Sequence, residues 1–262
     1  MKKLGKIYLV LVMLFLYVPI FVLMVFSFNE SKSRSVFSGF TLDWYRKLFQ
    51  NDIIISSLVN TLIIAVIASI VSTVLGTLAA IGINSMKKVP KAIVMNITNM
   101  PIINPEIVTG VSLMLLFVFF AARMNLEFGF VTLLIAHITF DVPYVILNVM
   151  PKFRQMDPHL YEAAQDLGCS PFKAFIKVVL PEIMPGVVSG FLMAFTYSLD
   201  DFVISYFTSG SSSQTLPVTI YSMTRRKVSP EINALSTIIF VVVVVLIVKN
   251  FIEIRQLKKK GA

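Results

Sequence analysis

Long runs of apolar residues, separated by charged or turn residues, dominate this sequence. A helix needs roughly 20 apolar residues to cross about 30 Å of hydrocarbon. Six predicted membrane spans meet this length, over residues 7–28, 58–83, 92–122, 130–150, 183–208 and 233–251. The third is the least regular, because prolines and an asparagine interrupt it. The pattern predicts an all-α integral membrane protein in which residues 1–262 form a single transmembrane domain.

The composition supports a membrane protein and excludes two other classes. Hydrophobic residues make up 56% of the chain and charged residues 14%, whereas soluble domains are about half apolar and a quarter charged. With a mean hydropathy of +0.83, the chain is expected to be neither a water-soluble enzyme nor disordered. The net charge of +9 comes from residues between the apolar runs. They form no aromatic-interleaved basic surface, so no nucleic-acid partner is expected.

The distribution of positive charge predicts the orientation of the spans. Most of the 23 Lys and Arg residues fall at the two termini and in the loops after the second and fourth spans. Cytoplasmic segments carry such an excess, so both termini are predicted to be cytoplasmic. The outer segments hold the remainder, including Arg34 and Lys227. The first span resembles a secretory signal but is too long and lacks a small-residue cleavage site, so we expect it to remain uncleaved.

Cysteine and histidine are too few for a disulfide framework or a metal site. Cys169 is the single cysteine, and no Cys/His cluster has the spacing of metal ligands. His137 and His159 are isolated, and a solitary histidine is more often packed or solvated than a ligand. We therefore expect no metal and no cofactor in this chain.

The loop over residues 151–182 is predicted to be the longest cytoplasmic connection and to begin with a short helix. It is neither Gly/Ser-rich nor poor in apolar residues, which argues against a flexible linker. Asp157 followed by Pro158 is a helix N-cap with proline at the first helical position. Gly168 supplies a left-handed stop, so the first helix is predicted between these two signals.

A second helix is predicted after this glycine. Ser170 and Pro171 repeat the start signal. The helix is predicted to end near Leu180, because Pro181 disfavours helical geometry in the residue before it.

A spaced signature lies within this loop. Its members are Glu162, Ala163, Ala164, Gly168, Val178, Val179, Leu180 and Pro181. It resembles the loop of ATP-binding-cassette importer permeases, with Val178 in place of the usual isoleucine. The resemblance implies a cytoplasmic coupling helix that docks into a cleft on an ATPase subunit. The small alanines allow close approach, Gly168 allows a sharp turn, and Glu162 can pair with a basic residue of the partner.

Two further points bear on this loop. The alternative to a coupling helix is an ordinary amphipathic loop whose glycine only caps a helix. The chain has no Gly-x4-Gly-Lys-Ser/Thr phosphate loop. ATP and Mg²⁺ are therefore expected on a separate ATPase subunit.

Glu106 is the first of four carboxylates inside predicted spans. It lies 15 residues beyond Lys91, about 22 Å of helical rise at roughly 1.5 Å per residue. The segment is interrupted by Asn104 and Pro105, and transporters use such breaks at substrate sites. The alternative is a plain helix start, where an acid favours the positive end of the helix dipole.

The other three acids lie in the fourth and fifth spans, where a charge at the bilayer centre costs roughly 2.5 to 3.5 kcal/mol. Asp141 lies two residues before Pro143, and it either faces a pathway or makes a local hydrogen bond at a proline kink. Asp200 and Asp201 fall in the outer half of the fifth span, with Tyr197 one turn earlier. The alternative for the pair is that the helix ends early and both carboxylates are solvated.

Together these residues predict a pathway for a cationic, partly aliphatic solute. Carboxylates would replace the hydration of ammonium groups, and the rings of Tyr144, Tyr197 and Tyr206 would attract them by cation–π interaction. An anion pathway would instead carry basic or neutral donors at this depth, and no predicted mid-span position is Lys or Arg.

A second resemblance covers essentially the whole chain. The segments 40–45, 200–202, 216–223 and 228–235 are similar to those of the second permease subunit of spermidine/putrescine importers. The resemblance implies a type I importer permease fold in the bacterial cytoplasmic membrane. It also implies a heterodimer with a companion permease, an ATPase dimer and an extracytoplasmic polyamine-binding protein. Trp44, Glu106, Asp200 and Asp201 become the expected pathway residues, while Asp141 rests on the charge argument alone.

Three alternatives stay open at this point. A permease of the same family could carry another small solute. An intramembrane aspartyl protease could pair Asp141 with Asp200, since paired carboxylates can share a proton, but its Gly-x-Gly-Asp signature is missing. A passive channel would have no use for a loop that docks an ATPase.

Overall fold

The computed structural model describes residues 2–32, 36–124, 127–157, 159–226 and 230–260. In these ranges the helices are α1 (Lys2–Phe26), α2 (Asp43–Phe49), α3 (Asp52–Asn84), α4 (Lys88–Ile103), α5 (Glu106–Met124), α6 (Phe130–Gln155), α7 (His159–Asp166), α8 (Pro171–Ala174), α9 (Leu180–Asp200), α10 (Val203–Thr208), α11 (Leu216–Arg226) and α12 (Pro230–Lys260). The predicted all-α class is confirmed. Five positions used above lie outside the described residues, namely Arg34, Pro158, Lys227, Val228 and Ser229.

The chain forms two compact units. One contains the residues up to Ile55 and from Ile220 onward, and the other runs from Ser56 to Thr219. The first unit therefore holds α1, α2, α12 and most of α11. The second holds most of α3 and all of α4 to α10, including every predicted pathway acid.

In the first unit, α12 packs against α1 and α2. The ring of Phe240 meets Tyr17 and Phe21 edge-on, at centroid distances of 6.4 and 6.3 Å. The amide of Asn51 donates to the Glu231 carboxylate at 3.0 Å. The apolar side chains of α1 are otherwise exposed, as expected of a helix that meets lipid.

The core of the second unit lies where α3, α6 and α9 meet. Its buried members are Ala80, Ile83, Val145, Ile146, Val149, Met150, Phe153, Val179, Ile183 and Ala194. Helix α6 contributes half of these side chains, and half of its most apolar window is buried. A second, smaller cluster joins α5, α6 and α10 through Leu113, Phe117, Ala136, Phe140 and Ile204.

Two glycines bring α9 against α6. A Cβ atom at Gly186 would lie 2.8 Å from the Asn148 carbonyl oxygen, and one at Gly190 would lie 3.2 Å from Val145 Cα. A small-xxx-small pattern is typical of close contacts between membrane helices. Here this contact lies within one chain.

The prediction of six membrane spans needs one correction. Five helices of the described chain are long and apolar enough to cross a membrane, over Leu4–Phe26, Asp52–Asn84, Glu106–Arg123, Phe130–Gln155 and Pro171–Asp200. The sixth predicted span falls on α12, whose apolar stretch is Pro230–Val245. Helix α12 itself continues to Lys260.

Two predicted spans are interrupted. The third is divided into α4 and α5, because Asn104 has extended backbone angles ahead of Pro105. The fifth begins earlier than predicted and ends at Asp200, and a separate short helix, α10, follows. The continuous helix predicted through residue 208 is therefore wrong, for a reason that lies in the polar contacts described below.

The first helix of the 151–182 loop is formed as predicted. The Asp157 carboxylate accepts the N–H of His159 at 2.9 Å and so caps α7. Gly168 has φ +86°. Its N–H donates to Gln165, and the N–H of the next residue donates to Ala164, at 2.8 and 3.1 Å. These two bonds form a Schellman motif, which requires a left-handed residue at the glycine position.

The predicted end of the second helix near Leu180 is wrong. Pro171 starts α8 as expected, but a π-helical turn over Phe175–Val179 carries the chain directly into α9. The Leu180 N–H donates to the Phe175 carbonyl, five residues earlier. A π turn rearranges the carbonyl ladder and provides an identifiable site for a bend. Pro181 then falls in the first turn of α9, where a missing N–H is tolerated.

Candidate functional site

Asp141 lies in the middle of α6 in a fully buried position. Its exposed fraction is 0%. Neither carboxylate oxygen has a hydrogen-bond partner among the described residues. The local hydrogen bond at a proline kink, one of the two interpretations of this residue, is therefore not formed. A buried carboxylate without a partner is costly, and such residues within spans usually mark pathways for ions or substrates.

Three aromatic rings pack together here, two from α6 and one from α9. The rings of Tyr144 and Tyr197 are 4.4 Å apart between centroids. Phe140 packs edge-on against both, at 5.2 and 6.3 Å. Tyr144 is one turn beyond Asp141 on the same face of α6. The sequence placed Tyr206 in the same group, but its ring is tilted against Phe202 and meets Phe207 edge-on.

Glu106 is the first residue of α5 and is exposed. Glu106 therefore begins a helix, as one of its two interpretations held, and a role in a pathway stays a prediction. The α4–α5 break places this carboxylate at the N-terminal end of α5, where the helix dipole favours a negative charge.

The neighbouring acids Asp200 and Asp201 have different surroundings. Asp200 ends α9 and is exposed. Asp201 has extended backbone angles, and its side chain is only 5% exposed. Its two carboxylate oxygens accept the N–H groups of Ile204 and Ser205, at 3.2 and 2.7 Å. The helix ends early, as the alternative interpretation held, but only Asp200 faces solvent.

His137 lies next to Asp201, although the sequence did not indicate it as a residue of this site. It is 2% exposed. Its Nδ1 lies 2.6 Å from the Ser198 hydroxyl and its Nε2 lies 3.0 Å from the Ser205 hydroxyl. Nε2 is also 3.6 Å from the Asp201 carboxylate. His137 is packed, which is one of the two outcomes expected of a solitary histidine. Its partners lie more than 60 positions along the chain, so no local pattern could indicate them.

Trp44 belongs to the first unit. It lies on α2 and is 5% exposed. Its indole N–H donates to the Asn29 carbonyl at 2.7 Å, and the Lys47 ammonium lies 4.6 Å from the ring centroid. In this conformation the ring is packed inside its own unit. A role of Trp44 in solute passage stays a prediction.

The loop signature divides into an inner and an outer side. Ala164 is buried, while Ala163 and Glu162 are exposed. The Glu162 carboxylate lies 3.6 Å from Nδ1 of His159, and both side chains are largely solvated. An exposed pair of this kind contributes little stability, so Glu162 remains available for another partner. Leu180 and Pro181 begin α9.

Two exposed apolar side chains flank Gly168. Leu167 is 87% exposed and Phe172 is 73% exposed. Periodicity did not indicate them, because neither belongs to a regular apolar face. A signal was nevertheless present, since two large apolar residues lie within four positions of a turn glycine in a loop predicted to be solvated.

A cavity of about 610 Å³ lies behind this loop, between α3, α6, α7 and the π turn. Its lining includes Asn84, Phe153, Tyr161 and Phe175. The space lies on the inner side of α7.

No described group of three His, Cys, Asp or Glu side chains could hold a metal ion. The acids near Asp141 come from separate helices and are accompanied by tyrosines. Their arrangement suits ammonium groups better than a hard metal cation, which takes six or more oxygen ligands.

Comparison with known proteins gives the same class of molecule. Residues 72–256 match the family described as "Binding-protein-dependent transport system inner membrane component". The chain is 37% identical over 247 residues to the spermidine/putrescine transport system permease protein PotC of Escherichia coli K12, covering 94% of this chain and 92% of that protein. It is 40% identical over 229 residues to the putrescine transport system permease protein PotI of the same strain, covering 86% and 81%.

A PotC protein of Haemophilus influenzae is 38% identical over 242 residues, covering 92% of this chain and 93% of the relative. Among solved structures, a chain of a bacterial ABC transporter that imports the acidic polysaccharide alginate superposes with a TM-score of 0.70. It covers 96% of this chain and 95% of the other at 13% sequence identity. At that identity the similarity concerns the fold.

Proposed function

Because the chain belongs to the family of binding-protein-dependent transport system inner membrane components, we propose that it is a permease subunit of an ATP-driven polyamine importer. The subunit forms half of the translocation pathway. Its partners are a companion permease, an ATPase dimer and an extracytoplasmic polyamine-binding protein. ATP and Mg²⁺ bind to the ATPase dimer, and both termini of this chain face the cytoplasm.

The observation that carries the choice of a polyamine is the buried, unpartnered carboxylate of Asp141 beside the Tyr144–Tyr197 ring pair. A carboxylate in a medium of low dielectric constant attracts an ammonium group strongly. Aromatic faces attract the same group by cation–π interaction and also contact its alkyl chain. The relatives named for spermidine and putrescine transport support this choice.

Passage requires several weak sites and not one strong site, because a pathway must also release what it binds. Glu106 and Asp200 are exposed carboxylates at the ends of α5 and α9, while Asp141 is buried. A polyamine carries several ammonium groups separated by methylene chains. Successive carboxylates can therefore hold its charges in turn.

Coupling to the ATPase is assigned to the 151–182 loop. Leu167 and Phe172 provide apolar contact, and Glu162 provides a carboxylate for a basic residue of the partner. The cavity behind α7 leaves room for that helix to move when the ATPase subunits close. The permease pair then changes from inward-facing to outward-facing.

The first test measures solute-stimulated ATPase activity of the whole importer. The chain is reconstituted in nanodiscs with its companion permease, ATPase and binding protein. Spermidine, putrescine, phosphate and a sugar are compared as loaded solutes. Stimulation by the polyamines alone supports the proposal. Stimulation by another solute assigns the chain to another substrate of the same family, and failure to assemble with an ATPase overturns the importer assignment.

Single substitutions test the proposed roles of the pathway acids and of the 151–182 loop separately in the same reconstituted importer. Asp141→Asn removes the charge with little change in shape and should lower polyamine uptake about tenfold or more, whereas the exposed Asp52→Asn should not. Leu167→Asp should weaken assembly with the ATPase, whereas the same change at the exposed Leu42 should not. Normal uptake by Asp141→Asn would remove that residue from the pathway.

A further inference from the structure

The Asp200–Asp201 pair, His137 and two serines meet at the junction of three helices. His137 lies on α6, Ser198 lies in the last turn of α9, and Ser205 lies on α10. Both ring nitrogens of His137 are within 3.0 Å of a hydroxyl oxygen. One imidazole thus contacts the helix before the break and the helix after it.

Asp201 is fixed from the other side. Its carboxylate accepts two backbone N–H groups of α10 and lies 3.6 Å from the imidazole. Backbone N–H groups at the start of a helix otherwise lack partners. Asp201 therefore satisfies the first turn of α10, and its oxygens are already occupied by the protein.

Asp200, the preceding residue, is not held by the protein in this way. It is exposed at the C-terminal end of α9. The extended backbone of Asp201 directs successive side chains to different sides. Adjacent carboxylates that look equivalent in the sequence are thus separated into one inside the protein and one outside it.

We propose that the two acids have different roles, in which Asp200 contacts the cationic solute and Asp201 is held by His137 to fix the start of α10. His137 is then a positioning residue for the pathway and not a ligand of the solute. This inference rests on the proposed polyamine transport. It changes the sequence-based expectation that both acids serve the solute directly.

The position of α10 matters because this helix also contacts α5. A Cβ atom at Gly110 would lie 3.4 Å from the Val203 carbonyl oxygen and 3.6 Å from Ile204 Cα. Helix α5 begins with Glu106. The His137–Asp201 contact therefore holds the helix against which the Glu106-bearing helix packs.

The test is a double-mutant cycle on polyamine-stimulated transport by the complete importer. Asp200→Asn should raise KM for spermidine about tenfold with Vmax within about twofold. Asp201→Asn and His137→Ala should lower Vmax with KM within about twofold. The double variant His137→Ala/Asp201→Asn should have a Vmax no lower than that of the more impaired single variant, because the two residues are in contact. The double variant His137→Ala/Asp200→Asn should show both the lower Vmax and the higher KM, because these two residues are not in contact.

An equal KM increase for Asp200→Asn and Asp201→Asn would overturn the inference, and so would independent effects of His137→Ala and Asp201→Asn. If His137→Ala does not assemble, Ser198→Ala and Ser205→Ala each remove one contact of the ring. They should lower Vmax without raising KM, and a KM increase would again overturn the inference. If the wild-type importer shows no polyamine-stimulated transport, the proposed function is overturned instead. The thermal midpoints of the same variants then still test the His137–Asp201 coupling.

Discussion

The second unit contains two helix breaks beside carboxylates, and the two are built differently. Between α4 and α5, Asn104 has φ −73° and ψ 142° directly before Pro105. Between α9 and α10, Asp201 has φ −60° and ψ 123° with no proline nearby. Proline imposes the first break through local sterics. Hydrogen bonds to Asp201 and the contact with His137 hold the second.

The difference determines what each break can tolerate. A break imposed by proline needs no partner elsewhere, so its acid, Glu106, can stay exposed and available. The second break occupies its acid, Asp201, in capping bonds to the first turn of α10 and in the contact with His137, and it leaves the preceding Asp200 exposed. The two breaks therefore each offer one exposed carboxylate, but only one of them depends on residues from another part of the chain.

The largest effect on stability is expected for Asp201→Ala. The change leaves two backbone N–H groups of α10 without their acceptor, and a buried unsatisfied group costs about 1–3 kcal/mol. Thermal unfolding of the purified complex should show a clearly lower midpoint. Asp200→Ala is the matched control and should change the unfolding free energy by less than about 0.5 kcal/mol. Equal midpoints for the two variants would contradict a break held by Asp201.

A smaller loss is expected for Gly110→Ala, which tests the contact between the helices that follow the two breaks. The new Cβ atom would lie 2.9 Å from Phe207 Cδ2 and 3.4 Å from the Val203 carbonyl oxygen. Such overpacking costs about 1–3 kcal/mol, and because the tightest contact is with a side chain and not with backbone, the value should lie near the lower limit. Gly82→Ala is the control, because nothing lies within 4 Å of its Cβ position. A Gly110→Ala complex as stable as the control would show that α5 and α10 adjust freely.

Pro105→Ala should affect stability less and transport more. Without the proline ring, Asn104 can adopt helical angles and α4 can continue into α5. The unfolding free energy should change by less than about 1 kcal/mol, while polyamine uptake falls because Glu106 is rotated. Pro101→Ala is the control, since Pro101 lies inside α4 and does not interrupt it. Unchanged uptake by Pro105→Ala would show that the break is not needed for the pathway.

Glu106→Gln should have the smallest effect on stability. The side chain is exposed, so the unfolding free energy should stay within about 0.5 kcal/mol of wild type. Uptake assays should nevertheless show weaker polyamine transport, because the variant keeps the shape and loses the charge. A stability loss as large as that of Asp201→Ala would indicate that Glu106 also supports the fold.

Features set by neighbouring residues could be predicted from the sequence. Apolar run length predicted the membrane-spanning helices, since hydrocarbon thickness fixes that length. Asp157 and Gly168 predicted the limits of α7, because capping depends on local backbone geometry.

Features that depend on distant residues could not be predicted in this way. The end of α9 has a local and a distant determinant, because Asp201 caps α10 through residues three and four positions on, whereas His137 lies 64 positions earlier. The packing of Gly186 against α6 has the same non-local origin. At Pro181 the local rule gave the wrong answer, because a π turn removes the conflict that would otherwise end the helix.

The π turn also sets how this part of the chain would respond to a change in length. A π turn corresponds to an α-helix with one additional residue. Deleting one residue within Phe175–Val179 would restore an uninterrupted α-helix, in which each residue turns by about 100°. Because the π turn absorbs the additional residue within one wide turn, α9 would keep nearly the same phase relative to α8 after this deletion, and Gly186 and Gly190 would still face α6. Deleting one residue from a regular turn of α9 ahead of Gly186 would instead rotate both glycines by about 100° away from α6. The π turn therefore marks a place where the chain can lose one residue without losing the contact between α9 and α6.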